Sequence, residues 1–180
     1  MKPLTHVVLG GAAAGALAPA IGLESACAFW GASVLIDVDH HWDYVYWNGF
    51  RDWSVTRAFA FHLALFPLRR RPDFLALSVL HTVEAFLLVA LGWWAGLPFA
   101  GAVFLGMLFH LGLDLLHLAG LGLLFKRALS IVEFLIRRRR LRRAGLDPDA
   151  PYLAACRAIG APGRVPRATR HRAADVEPVS

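Results

Sequence analysis

The sequence predicts an all-α fold: an integral membrane bundle of about four transmembrane helices, with an interfacial amphipathic segment. Three observations predict it. The 180 residues are 57% hydrophobic with a mean hydropathy of +0.51, above the range of ordinary soluble domains. Apolar stretches of about twenty residues recur through the first part of the chain, long enough to cross a hydrocarbon layer of ~30 Å at ~1.5 Å per residue. The formal charge of +6 is unevenly spread. Basic residues gather in segment 51–71 and beyond Lys126, while the turns near Glu24 and Pro98 have none.

Residues 4–23 make the first span, with His6 as its one ionisable group. Lys2, the apolar run and the small residues of ALAPA imitate a signal peptide. A single Lys and the early His6 favour a retained helix instead. Glu24-Ser25 breaks the run. Residues 26–36 are too short to span alone, so the second span is expected to continue through LIDVDHHWDY. It would end at Trp42, Tyr44, Tyr46 and Trp47, an interfacial aromatic belt. Segment 51–71 sets Arg51, Arg57, Arg69, Arg70 and Arg71 around a short apolar stretch, the pattern of an interfacial amphipathic helix. Residues 74–97 and 99–125 give the third and fourth spans, a helical hairpin turning at Pro98, with Trp93-Trp94 as a second aromatic belt.

The chain therefore divides into a transmembrane domain (1–125), a basic juxtamembrane helix (126–145) and a tail (146–180). The tail is rich in Pro, Ala, Arg and Gly and reads as disordered. The charge asymmetry predicts a multi-pass membrane protein with both termini cytoplasmic. RRRRLRR (137–143) fits anionic lipid beside the spans better than nucleic acid, which is not expected as a partner. Cys27 and Cys156 supply neither a disulfide framework nor a thiolate zinc site.

Against this apolar background the titratable groups share one depth. A charge at mid-bilayer costs about 2.5–3.5 kcal/mol on insertion scales, so such groups point to function. Measured from the far-side turns, Asp37, Asp39, His40 and His41 match His81, Glu84, Asp114 and His117. They fall in one layer roughly 20–28 Å deep, and His6 lies level with them. HLGLDLLH places His110, Asp114 and His117 along one helical stripe, HTVE pairs His81 with Glu84 one turn apart, and Asp37 shares a face with His40 and His41. Imidazoles and carboxylates without thiolates suit a divalent metal, zinc first, with manganese or iron as alternatives. Such an ion also neutralises the buried carboxylates. A proton relay or an interhelical polar clamp are the competing readings. His62 reads as a surface histidine and His171 as a tail residue without a role.

The ordered elements THVVLGG, DVDHHWDY, HTVE and HLGLD resemble the YdjM-like inner-membrane family, described as membrane-bound metal-dependent hydrolases, over residues 4–120. The HxxxD helix is also similar to the zinc-dependent phospholipase C and nuclease superfamily, in which helices present His and Asp to zinc. The resemblance implies metal-ligand roles for His6, Asp37, Asp39, His40, His81, Glu84, His110 and Asp114. It further implies hydrolysis of a small-molecule or lipid phosphoester by metal-activated water, with membrane lipid as a partner. Asp37 or Asp39 would bridge two ions, with Asp39 and Glu84 as the catalytic carboxylates and Glu84 as general base. The alternative is a metal or proton transporter, or a binding protein without hydrolase activity. The dry far-side halves of the helices (AFWGAS, VALGWWAG, AGAVFLG) favour a one-sided site, hence an enzyme.

Overall fold

The computed structural model describes residues 3–164, so His171 and the end of the tail lie outside it. The fold is all-α apart from one two-residue strand pair. Two helices are long and apolar enough to cross a membrane: α1 (Pro3–Ile21) and α6 (Ala100–Gly120). Between them in sequence lie α2 (Leu23–Leu35) and α5 (Val83–Trp94), apolar but only 13 and 12 residues long. Four spans are thus the sequence expectation, and two helices are candidates for spans by length and composition.

The four helices pack as α1 on α2, α2 on α6 and α6 on α5. Small residues let the backbones close. A Cβ at Gly106 would collide with the Phe29 carbonyl on α2, and one at Gly10 with the Ser33 hydroxyl. Trp30 Nε1 donates to the Val7 carbonyl at 3.0 Å, tying α2 to α1. The α5–α6 hairpin turns where the sequence places it, around Pro98, with Gly96 (φ 78°) and Phe99 (φ 61°) in the left-handed region.

Two expected spans are shorter than their apolar runs, for local reasons. The second helix stops at Leu35, and Ile36-Asp37 form a turn into α3 (Val38–Trp47). The third helix begins at Val83, not at residue 74. Thr82 is extended (φ −90°, ψ 154°), and its hydroxyl accepts from Ala85 N as an N-cap. The chain before it forms strand β1 (Ala76–Leu77) and a 3-10 turn, Val79–His81.

The remaining elements fold together against one end of these helices. α3, α4 (Val55–Leu65) and α8 (Ala150–Ala158) enclose a core of Tyr44, Val45, Phe61, Phe74, Tyr152 and Cys156. Segment 51–71 is therefore more than a surface helix: α4 buries Ala58, Phe61 and Leu65 while Phe59 and Leu63 stay exposed. The aromatic belt also divides. Trp42 and Tyr46 are exposed, but Tyr44 is buried with its hydroxyl on Asp52, and Trp47 stacks on Tyr152 at 4.6 Å. The expectation of disorder from residue 146 is corrected by α8. Tyr152, Ala155 and Cys156 line one face of it, and the Tyr152 hydroxyl donates to the Leu75 carbonyl at 2.9 Å. Small residues on that face hid its period. The basic helix α7 (Ile131–Arg143) follows strand β2 (Arg127–Ala128), which pairs in parallel with β1 in the register Ala76↔Arg127.

Candidate metal centre

Each break in the spans delivers a side chain. The turn after α2 presents Asp37, the 3-10 turn before α5 presents His81, and α6 presents His110 and Asp114 one turn apart. One ligand atom from each lies within 4.8 Å of the others. Asp37 Oδ1 is 3.3 Å from His110 Nε2 and 3.7 Å from His81 Nε2, and each of those nitrogens is 3.9 Å from Asp114 Oδ2. A tetrahedral ion with bonds of ~2.1 Å requires ligand–ligand edges of roughly 3.4 Å. The donor set can hold a metal ion with little adjustment.

The tautomers point the same way. His110 Nδ1 lies 2.7 Å from the Ser33 carbonyl, which can only accept, so this nitrogen carries the proton. His81 Nδ1 donates likewise to Asp39 Oδ2 at 3.1 Å. In its neutral form each ring turns an Nε2 lone pair toward carboxylate oxygens. Both Nε2 atoms are buried without a hydrogen-bond partner. Lone pairs facing anionic oxygens in a buried space are unfavourable until a cation lies between them.

The other expected ligands take different places. Asp39 stands behind His81, its Oδ2 also accepting from Leu80 N at 3.1 Å, in the carboxylate–histidine arrangement that orients a ligand. His6 stacks on His110 at 3.9 Å between ring centroids, with Nε2 3.3 Å from Asp114 Oδ1. His40 Nε2 reaches Asp37 Oδ1 at 3.3 Å. These three border the group through its carboxylates and His81. Glu84 lies apart: it accepts from Ser130 Oγ at 2.6 Å and Ile131 N at 3.0 Å, capping α7. The expected ligand and base role for Glu84 is corrected by that placement. Thr82 interrupts the helix, so His81 and Glu84 do not share a face. His41 and His117 do not join the group either.

His62 is not the surface residue the sequence suggests. Its Nε2 donates to the His40 carbonyl at 2.8 Å and its ring lies 5.2 Å from that of His40. Outside the candidate spans, burial first and the nearby His40 second push the His62 imidazole down to about 4. On α3, burial pushes the Asp43 carboxyl up to about 7. Sequence reasoning missed Arg127, which is buried and places Nη1 2.8 Å from Asp114 Oδ2. In sequence it is one of many basic residues near the spans, and only the β1–β2 pairing brings it to α6. No family model, no curated protein and no solved structure matches the chain, so the site is read from its own geometry.

Proposed function

We propose that the protein is a multi-pass membrane hydrolase acting on a phosphoester, small-molecule or lipid-linked, at a divalent metal held by Asp37, His81, His110 and Asp114. Zinc is the first choice of ion. The observation that carries this reading is the convergence of two tautomerically fixed, unpartnered Nε2 atoms on two carboxylates. The ordered resemblance of the four motifs supports it. A divalent ion in such a site lowers the pKa of a bound water toward neutrality and offsets charge on a phosphoryl oxygen.

The chain's own residues have separable roles in this reading. Asp37 and Asp114 provide negative charge from two elements, and His81 and His110 provide neutral nitrogen. Asp39 holds the His81 ring in its tautomer. The side chains of His40 and Asp37 are 34% and 20% exposed, whereas those of His81 and His110 are fully covered. Water and substrate therefore enter on the His40 side. His40, beside Asp37 and partly exposed, is the group placed to take a proton from attacking water. The proposal retains a bacterial inner membrane with both termini cytoplasmic, supported by the arginine distribution.

The test is hydrolysis of bis-p-nitrophenyl phosphate and of short-chain phospholipids by detergent-purified protein. Activity should vanish on chelation, return with zinc, and be lost in His81→Ala. His40→Gln should retain the metal and lose most of kcat. A metal-loaded wild type without phosphoesterase activity would turn the reading to a metal transporter or binding protein.

A further inference from the structure

We infer that Arg127 and Arg69 form an anion subsite beside the four-ligand group, built for the negatively charged oxygens of a phosphate ester. The inference rests on the hydrolase reading for its place in a reaction, but its observations are separate. Arg127 is 7% exposed. A guanidinium offers five N–H donors in a planar fork. Nη1 is on Asp114 Oδ2 at 2.8 Å, while Nη2 of the same fork is buried without a hydrogen-bond partner. The backbone that carries it is held by its strand, since β2 pairs Arg127 with Ala76 and the Arg127 carbonyl accepts from Arg137 Nη1 at 3.4 Å.

A second cation repeats the feature. Arg69 closes the 3-10 turn Phe66–Arg70, with its guanidinium carbon 5.3 Å above the Phe66 ring centre. Its Nε is likewise buried without a partner. Lys126 Nζ donates to the Arg71 carbonyl at 2.7 Å, which brings the end of this turn against the start of β2 and so Arg69 toward Arg127. A counter-ion role toward Asp114 accounts for Nη1 of Arg127. It leaves Nη2 of Arg127 and Nε of Arg69 unexplained, and it does not explain a second, repelling cation nearby. An oxyanion with several acceptor oxygens satisfies both guanidinium groups at once and relieves their repulsion. Because Arg127 shares Asp114 with the ligand group, an anion on its fork sits at the edge of the metal centre. That is the position of a non-bridging phosphoryl oxygen.

The experiment uses full-length protein in detergent, with metal content measured on every sample. Binding of inorganic phosphate is followed by calorimetry for wild type, Arg127→Lys, Arg69→Gln and the exposed control Arg157→Gln. Wild type and Arg157→Gln should bind alike. Arg127→Lys and Arg69→Gln should each weaken phosphate at least ten-fold while keeping the wild-type metal content. Dihexanoyl phosphatidic acid, added in competition, separates the sources. Displacement of phosphate at lower concentration than phosphate itself identifies a lipid headgroup as the occupant, and weaker displacement identifies a free phosphate or small ester. Arginine-dependent phosphate binding by a wild type without metal would sustain the subsite and remove the hydrolase reading. Equal phosphate affinity in wild type and both arginine variants, or no phosphate binding by any of them, overturns the inference.

Discussion

His81 and His110 face the same problem from different elements. Each imidazole donates its Nδ1 proton, to Asp39 and to the Ser33 carbonyl respectively, and as a neutral ring is left with an acceptor nitrogen among acceptors. Ligand and orienting roles should therefore separate on mutation. His110→Ala should abolish tight metal binding, whereas Asp39→Asn should weaken it about 10–100-fold, as loss of an outer-shell partner does. Competition with a fluorescent zinc chelator measures both. Glu84→Gln should keep the metal and lower stability, because it caps α7 at Ser130 and Ile131. Equal loss of metal in Glu84→Gln and His110→Ala would contradict these assignments. His62 adds a pH dependence. Its folded pKa, about 4, lies below the ordinary 6.5, so the folded state binds fewer protons. The stability it contributes is present above pH 6.5 and is lost as pH falls toward 4. Denaturant titrations across that window should show the decline in wild type and a flatter profile in His62→Gln. At this scale the HxxxD pair was legible because helix periodicity is local: His110 and Asp114 need only α6. Asp37 was legible as a carboxylate out of place in an apolar chain. The His81–Glu84 pairing was misread because one residue, Thr82, turns the chain between them. Arg127 was illegible because its approach to Asp114 depends on a strand pairing across some fifty positions, Ala76 to Arg127.

The helices differ in how far their sequences announce them. α1 and α6 are continuous apolar runs and emerge as expected. α2 and α5 are cut short by the turn at Ile36-Asp37 and the cap at Thr82, both of which serve the site. α8 was invisible because its buried face is Tyr152, Ala155 and Cys156, where two of three residues are small and the surrounding composition resembles a linker. Its partners, Tyr44, Phe61 and Phe74, lie far away in sequence. Tyr152→Ala should therefore destabilise by about 3–5 kcal/mol, as large-to-small core substitutions do, and lose the bond to the Leu75 carbonyl. Truncation after residue 148 should have a comparable effect in detergent melts. A truncated protein with unchanged stability would mean that α8 does not hold the core described. Gly106→Ala should cost about 1–3 kcal/mol, since the added methyl meets the Phe29 carbonyl at the α2–α6 crossing.

At the scale of the molecule, the apolar helices and the α3–α4–α8 core meet where Asp37 and His81 leave their helices. The site stands at that junction, with covered histidines on the helix side and the more exposed His40 and Asp37 toward solvent. The general architecture, helical and apolar with His and Asp side chains gathered in one group, was legible from hydropathy and spacing. The second packed unit was not, because it forms from pieces separated by about a hundred residues. The central claim is that Asp37, His81, His110 and Asp114 jointly hold a divalent ion. It is tested most directly by metal per chain in protein purified without chelator, determined by plasma mass spectrometry. Wild type and Glu84→Ala should carry about one ion per site. Single Ala substitutions of the four ligands should each remove most of it, although the residues lie on three separate elements. A wild type without metal, or an Asp114→Ala variant as fully loaded as Glu84→Ala, would contradict the account.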